Sequence, residues 1–227
     1  MENSLYHWNR VERSPTILMA KKSSSPSPVA DSWLGRSFVF YGSYHNDVVN
    51  QRIHIVFVWA ILWTAFTMLS YTPSFDSTLM INVQGIEFVP NWNLVACAVY
   101  FFWYLVAEPG GFAGYICCAL VLVGYLLSTW LFSFHDDTSR KLLFTWALRV
   151  HILSWVAQFI GHGVFEGRSP ALFSNLFQAF AMAPLFVVME VLFSVGYRPD
   201  FKDACQIEID KQLKLWGRPG MKKVKAT

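Results

Sequence analysis

Histidine is the residue type whose placement in this chain most strongly suggests chemistry. Five of the six histidines lie in or beside strongly apolar segments: His45, His54, His135, His151 and His162. An ionisable side chain within a membrane costs about 3 kcal/mol unless it is paired or bound to a metal. Neutral imidazole is also the commonest metal ligand in proteins, because it offers a lone pair without adding charge. The histidines therefore predict a metal site embedded in a membrane.

Two of these histidines belong to a stripe of side chains at helical spacing. The stripe consists of His151, Trp155, Gln158 and His162. Successive members are four, three and four residues apart, so they would share one face of a helix. Glu166 and Arg168 follow directly. One isolated polar residue in a span can serve as a contact between helices, but a stripe with ionisable members predicts a functional site.

His45 and His54 lie nine residues apart, on opposite faces of any single straight helix. They can converge only if the chain turns between them, and Asn46-Asp47 is a suitable helix cap for such a turn. The alternative interpretation is two separate histidines at the membrane interface.

Other polar residues are weaker candidates. His135-Asp136-Asp137 has ligand types suited to a metal, but it also makes an ordinary polar turn before a helix, and the turn is favoured. Glu190 is a carboxylate within an apolar segment, where it would pair with an inward histidine or arginine.

The composition indicates what kind of fold positions these residues. Of 227 residues, 54% are hydrophobic and only 15% are charged, against about 25% charged in soluble domains. Five apolar segments are evident: Ile53 to Leu69, Leu94 to Val106, Phe112 to Phe134, Leu142 to Phe165 and Leu172 to Val195. The predicted fold is an all-α, polytopic membrane bundle of four to five apolar segments.

Basic residues predict the topology and the domain boundaries. Six Lys or Arg precede the first span and eight follow from Arg198 onward, so both termini should face the cytoplasm. The number of crossings must then be even, which requires one segment to be re-entrant, interfacial or split at Pro184. We predict a polar N-terminal segment without fixed structure (1–37), a membrane-embedded metal-binding domain (38–198) and a basic cytoplasmic tail (199–227).

Several classes of protein are disfavoured. The net charge is only +3 and the basic residues collect at the two ends, which argues against nucleic-acid binding. The four cysteines, Cys97, Cys117, Cys118 and Cys205, form no CxxC pair and predict neither a thiolate zinc site nor a disulfide framework.

Two blocks of sequence resemble the fungal 2-hydroxy fatty acid dioxygenase family of endoplasmic reticulum membrane proteins. The first block consists of Tyr44-His45, Asn50, Ile53-His54 and Phe57-Val58. The second consists of Trp155, Gln158-Phe159, Gly161-His162-Gly163, Phe165-Glu166, Arg168 and Pro170-Ala171-Leu172. One residue departs from the pattern: Trp59 stands where the family usually has proline.

The resemblance implies an Fe²⁺-dependent α-oxidation in which a 2-hydroxy fatty acid and O2 give the one-carbon-shorter fatty acid and CO2, in phytosphingosine breakdown. His45, His54 and His162 would bind the iron, and His151 and His135 are secondary candidates. Glu166 would be a fourth ligand or an outer partner of the site. Gln158 and Asn50 would orient the imidazoles, and Arg168 would pair with the substrate carboxylate.

Two alternatives stay open at this point. The same scaffold could carry a related membrane oxygenase, or another enzyme, of fungal secondary metabolism. It could instead be a non-enzymatic protein that binds or transports lipid, whose histidines are structural or relay protons. The sequence contains no signal for the oligomeric state.

Overall fold

Helices form most of the chain that the computed structural model describes, which is residues 32–133, 136–170, 176 and 178–217. The α-helices are α1 (Trp33–Tyr44), α2 (Val48–Leu69), α3 (Trp92–Ala107), α4 (Phe112–Ser133), α5 (Asp137–Ile160), α6 (Ala183–Ser194) and α7 (Pro199–Leu215). Two π-helical segments, Gly161–Glu166 and Gln178–Met182, follow α5 and precede α6. A 3-10 turn (Ser77–Leu79) and a two-stranded antiparallel hairpin, β1 (Ile81–Val83) and β2 (Ile86–Phe88), lie in the loop after α2.

Polar residues at the predicted turns fix where several helices begin. The side chains of Ser32, Asp47, Asn91 and Asp136 each accept a hydrogen bond from a backbone N–H in the first turn of α1, α2, α3 and α5. Such caps satisfy donors that have no partner within the helix. Asp136 thus acts as the turn residue that the sequence favoured, whereas His135 lies outside the described residues.

Within the described part of the chain, three helices are long and apolar enough to cross a membrane: Val48–Leu69, Phe112–Ser133 and the continuous Asp137–Glu166. A fourth crossing results if Ala179–Ser194 and Pro199–Leu215, which are bent by 115°, count as one broken span. The predicted all-α membrane bundle is therefore confirmed. Pro184 lies in the first turn of α6, and the sharp bend falls later, between α6 and α7. α2 runs unbroken past Trp59.

The ends of the described chain pack on each other. α1 begins at Trp33, before the domain boundary predicted at residue 38. Much of the segment predicted as a basic tail is α7, whose buried residues recur at helical spacing: Phe201, Cys205, Ile209 and Leu213. This stripe lies against α1, and Ile209 reaches Gly42 so closely that a Cβ there would lie 2.4 Å from its Cδ1. Like Cys205, the other three cysteines are free and buried.

α2 and α5 pack side by side in opposite directions, and this pair positions the histidines. His54 faces His162 at one end, with ring centroids 4.8 Å apart. Thr64 meets His151 further along, at 2.9 Å. Because the two helices run antiparallel, the start of α2 lies beside the end of α5. Residues far apart in sequence therefore share one end of the bundle.

A buried carboxylate locks the bend between α6 and α7. Glu108 directly follows α3, and its side chain is 3% exposed. Its Oε1 accepts hydrogen bonds from the guanidinium of Arg198 at 2.8 Å and from the hydroxyl of Tyr197 at 3.2 Å. Its Oε2 accepts from the backbone N–H of Gly114 at 2.9 Å. Arg198 adopts a left-handed backbone, with φ of 44°. These bonds hold that strained conformation in place.

We expect Glu108→Gln to lower the free energy of unfolding by about 2 kcal/mol, because hydrogen bonds to a charged group are lost in a buried setting. Thermal and denaturant unfolding in detergent would measure the change. Glu208→Gln is the matched control, since Glu208 pairs with the half-exposed Lys211 at 2.7 Å on α7. That substitution should cost less than about 1 kcal/mol. Equal losses for the two variants would contradict the role assigned to Glu108.

Candidate metal centre

Three imidazoles converge at the shared end of α2 and α5. One ring nitrogen of each of His45, His54 and His162 lies within 4.8 Å of the others. The three residues are only 7%, 3% and 3% exposed. The ring centroids are 4.3 to 4.8 Å apart, and the rings meet edge to face. This cluster contains all three histidines for which the sequence predicted a shared site.

The chain turns sharply between His45 and His54, as their convergence required. α1 ends at Tyr44, and His45 follows as its C-terminal cap. Asp47 then starts α2 by accepting hydrogen bonds from the backbone N–H groups of Val49 and Asn50. The predicted turn is thus confirmed, and it folds His45 back over His54.

Backbone carbonyls hold two of the rings in one tautomer. His45 Nδ1 lies 2.8 Å from the carbonyl oxygen of Tyr41, and His54 Nδ1 lies 2.9 Å from that of Asn50. A carbonyl only accepts, so each Nδ1 must carry the proton. Each Nε2 then keeps a lone pair. This is the arrangement that metal-binding histidines commonly use.

The third imidazole is placed by a π-helical segment. His162 is the second residue of Gly161–Glu166, where α5 widens. Its Nδ1 is buried and has no hydrogen-bonding partner among the described residues. Gly161 permits the close approach to α2, because a Cβ there would lie 2.5 Å from Asn50 Oδ1. π-helical turns frequently occur at functional sites.

A metal ion fits this donor set. A buried polar atom without a partner is costly in a folded protein, and a bound cation would satisfy the lone pairs of all three rings at once. Burial, reinforced by the neighbouring rings of His54 and His162, holds the pKa of His45 well below its ordinary value. His45 is therefore neutral at physiological pH, the form in which imidazole binds metals.

The lowered pKa of His45 makes the stability of the metal-free protein depend on pH. Between that lowered pKa and about 6.5, the unfolded chain binds more protons than the folded chain, so the free energy of unfolding rises with pH. We expect the melting temperature to be lower at about pH 5.5 than at about pH 7.5 and to level off above about pH 6.5. Thermal scans of the chelator-treated protein and of His45→Asn would test this. An equal pH dependence in both proteins would contradict the assignment to His45.

Glu166 connects the end of the π-helical segment to the start of α2. Its Oε2 accepts hydrogen bonds from the backbone N–H groups of Asn46 (3.0 Å) and Asp47 (2.9 Å) and from the side chain of Asn50 (3.3 Å). A carboxylate is also favourable near a helix N-terminus. Of the two roles predicted for Glu166, these contacts favour the outer partner over the fourth ligand.

Arg168 lies between two aromatic rings. Its guanidinium carbon is 3.9 Å from the centroid of Tyr44 and 3.8 Å from that of Trp216. It also donates to the carbonyl of Ser43 at 3.5 Å. Arg168 does not line the cavity described below. Its contacts favour a positioning role over the predicted pairing with a substrate carboxylate.

His151 lies apart from the three-histidine cluster, and both of its ring nitrogens are engaged. Trp155 donates to its Nε2 at 3.0 Å, so Nδ1 carries the proton and donates to Thr64 Oγ1 at 2.9 Å. Thr64 in turn donates to the carbonyl of Ala60 at 2.7 Å. This neutral chain of hydrogen bonds leaves no lone pair on His151 for a metal.

A largely apolar cavity of about 390 Å³ adjoins the cluster. All four residues of the predicted stripe line it: His151, Trp155, Gln158 and His162. The prediction that they share one helix face is therefore confirmed. His45 and His54 also line the cavity, so a ligand within it reaches the imidazoles directly. Its size is that of pockets that hold small molecules.

Three contacts near the site were not predicted from the sequence. Tyr41 stacks on His45, with centroids 4.0 Å apart, and its hydroxyl donates to Glu190 Oε2 at 3.2 Å. Glu190 thus pairs with a tyrosine rather than with the expected histidine or arginine. Tyr41 and His45 are four residues apart, a spacing that brings side chains together on a helix, but α1 was not among the predicted helices. No signal in the sequence places Trp216 against Arg168.

Comparisons with known proteins find one family model and one curated relative that match most of this chain. The family model described as 2-hydroxy-palmitic acid dioxygenase Mpo1-like matches residues 33–195, from the start of α1 to just beyond α6. The 2-hydroxy-palmitic acid dioxygenase MPO1 of Saccharomyces cerevisiae is 32% identical over 175 residues, which are 77% of this chain and 87% of the relative. No solved structure matches. The region matched by the family model contains all three clustered histidines.

Proposed function

We propose that this chain, which belongs to the 2-hydroxy-palmitic acid dioxygenase Mpo1-like family, is an Fe²⁺-dependent enzyme that shortens 2-hydroxy fatty acids by one carbon. One observation carries the proposal. Three buried imidazoles, two of them with Nε2 as the unprotonated nitrogen because a backbone carbonyl binds Nδ1, lie at one end of an apolar cavity in a membrane-type bundle. Such a site can hold a metal next to the polar end of a lipid.

The reaction balances with O2 as the only co-substrate. A 2-hydroxy fatty acid and O2 give the one-carbon-shorter fatty acid, CO2 and water. The bond between C1 and C2 breaks, C2 is oxidised from an alcohol to a carboxylic acid, and O2 is reduced. Iron held by His45, His54 and His162 would supply the activation of O2.

The residues around the cluster have separate roles in this proposal. His45, His54 and His162 hold the metal, and the carbonyls of Tyr41 and Asn50 orient two of the rings. This orienting role of Asn50 belongs to its main chain, because its side chain contacts Glu166. Gln158 lines the cavity one helical turn before His162, where its amide can bind the polar head of the substrate.

The surroundings of the site support a hydrophobic substrate. The cavity walls are largely apolar, and polar interactions with a bound head group are stronger in such surroundings than in water. We place the protein in the endoplasmic reticulum membrane with both termini in the cytoplasm, and its substrate in phytosphingosine breakdown. In that orientation the cluster lies toward the cytoplasmic face, because it sits where α2 begins and α5 ends.

Reconstitution with a single defined metal tests the function. The purified protein would be loaded anaerobically with Fe²⁺ or Zn²⁺ and incubated with 2-hydroxypalmitate and O2. We expect the iron-loaded protein to release the C15 fatty acid and to consume O2 in equal amount, with no product from the zinc-loaded protein. Binding of 2-hydroxypalmitate without any C15 product from the iron-loaded protein would instead indicate a lipid-binding protein.

A further inference from the structure

The cavity extends along α2 well beyond the three histidines. Its α2 lining is one stripe of residues at helical spacing: His54, Val58, Ile61, Leu62, Ala65, Met68 and Leu69. With a rise of 1.5 Å per residue, Ala65 lies about 16 Å from His54 along the helix and Leu69 about 22 Å. The lining on this side ends at Leu69, which is the last residue of α2.

These lengths are close to that of a long saturated chain. Each C–C bond of about 1.5 Å advances an extended zigzag by about 1.25 Å, so a 16-carbon acid measures about 19 Å. With its carboxylate beside the histidines, such a chain would pass Ala65 near its fourteenth carbon. Its last methyl would lie between Ala65 and Leu69.

The polar groups along this path are already hydrogen-bonded within the protein. His151 contacts Thr64 and therefore lies near the depth of Ala65, and its hydrogen bonds to Trp155 and Thr64 use both ring nitrogens. Tyr100, near the far end, donates its hydroxyl to the carbonyl of Phe180 at 3.1 Å. Since these groups are already paired, they would not attract polar groups, and the occupant they suit is an unsubstituted aliphatic chain.

Ala65 is the one small side chain of the α2 stripe. The lining residues on either side of it on this helix, Leu62 and Met68, are large. We propose that the small side chain at position 65 sets the acyl-chain length that the enzyme accepts, an inference that rests on the dioxygenase function proposed above. A larger residue there would fill the space that the last few carbons occupy.

A one-pot competition among 2-hydroxy acids of 10 to 18 carbons tests the inference. Ala65→Phe should accept chains of up to about 12 carbons like the parent but discriminate against the 16-carbon acid. Each methylene that is no longer buried weakens binding about fourfold, so displacing three or four carbons should lower the preference for the 16-carbon acid about 100-fold. Val56→Phe is the matched control, because Val56 lies on the same helix and is 61% exposed. It should keep the parent profile.

A second variant changes the preference in the opposite direction. Met68→Ala enlarges the far end of the cavity and should shift the preference toward 18 carbons, and it decides the question if Ala65→Phe does not fold. If the parent is active and the folded variants keep its chain-length profile, the inference about Ala65 is overturned but the proposed function is not. An iron-loaded parent that converts no chain of any length would overturn the proposed function itself.

Discussion

His162→Ala is expected to abolish both metal retention and product formation. His162 supplies one of three nitrogens that lie within 4.8 Å of one another, and only two would remain. Loss of an outer partner typically costs 10- to 100-fold in metal affinity or activity, so loss of a ligand should exceed about 100-fold. His45→Ala and His54→Ala should behave in the same way. Metal analysis after desalting and a C15 product assay measure the two effects.

His151→Ala is the matched control for metal retention. His151 lies on the same helix face as His162 but binds Trp155 and Thr64 through both nitrogens. The variant should keep a full complement of iron even if cavity packing changes. Iron loss from His151→Ala equal to that from His162→Ala would contradict the three-histidine site. Full iron retention by His162→Ala would contradict it as well.

Glu166→Ala should weaken metal binding 10- to 100-fold, although Glu166 is not in the histidine cluster. Its carboxylate joins the backbone N–H groups of Asn46 and Asp47 to the π-helical segment that carries His162. Removing the carboxylate takes away the acceptor for these two N–H groups. The turn that follows His45 is then no longer held against the segment that carries His162. Each donor left without a partner would cost about 1 to 3 kcal/mol where it stays buried. Titration of the metal-free protein with Fe²⁺ would measure the loss of affinity.

Glu166→Gln separates the role of charge from that of shape. Glutamine keeps one acceptor oxygen but has no negative charge for the start of α2. The loss of iron affinity in Glu166→Gln should therefore be smaller than in Glu166→Ala. The free energy of unfolding of both metal-free variants should fall in the same order. If the iron affinity of Glu166→Ala equalled that of the parent, Glu166 would have no part in positioning the site.

The local features of the site were predictable because they depend on near neighbours in sequence. Asp47 caps a helix through residues two and three positions away, and His151 and His162 share a face through the helical repeat alone. The contacts of Glu166 and Arg168 were not predictable. They reach residues more than 40 positions away, and no local pattern specifies such pairings.

Elements with weak apolar signals were also missed. α1 is short, begins next to a polar segment and is stabilised by packing on α7. The hairpin after α2 has only three residues in each strand. The π-helical turn at Gly161 depends on close packing against Asn50, which a sequence read as a regular helix does not reveal.

The order in which the three histidines are synthesised has a consequence for biogenesis. His45 and His54 leave the ribosome together, but His162 follows 108 residues after His54, with α3 and α4 made in between. At about 5 to 20 residues per second, the interval is several seconds or more. The complete cluster therefore exists only once α5 has packed against α2, so metal loading would be a late step. An ion bound there would then close a loop of more than 100 residues, as a cross-link does.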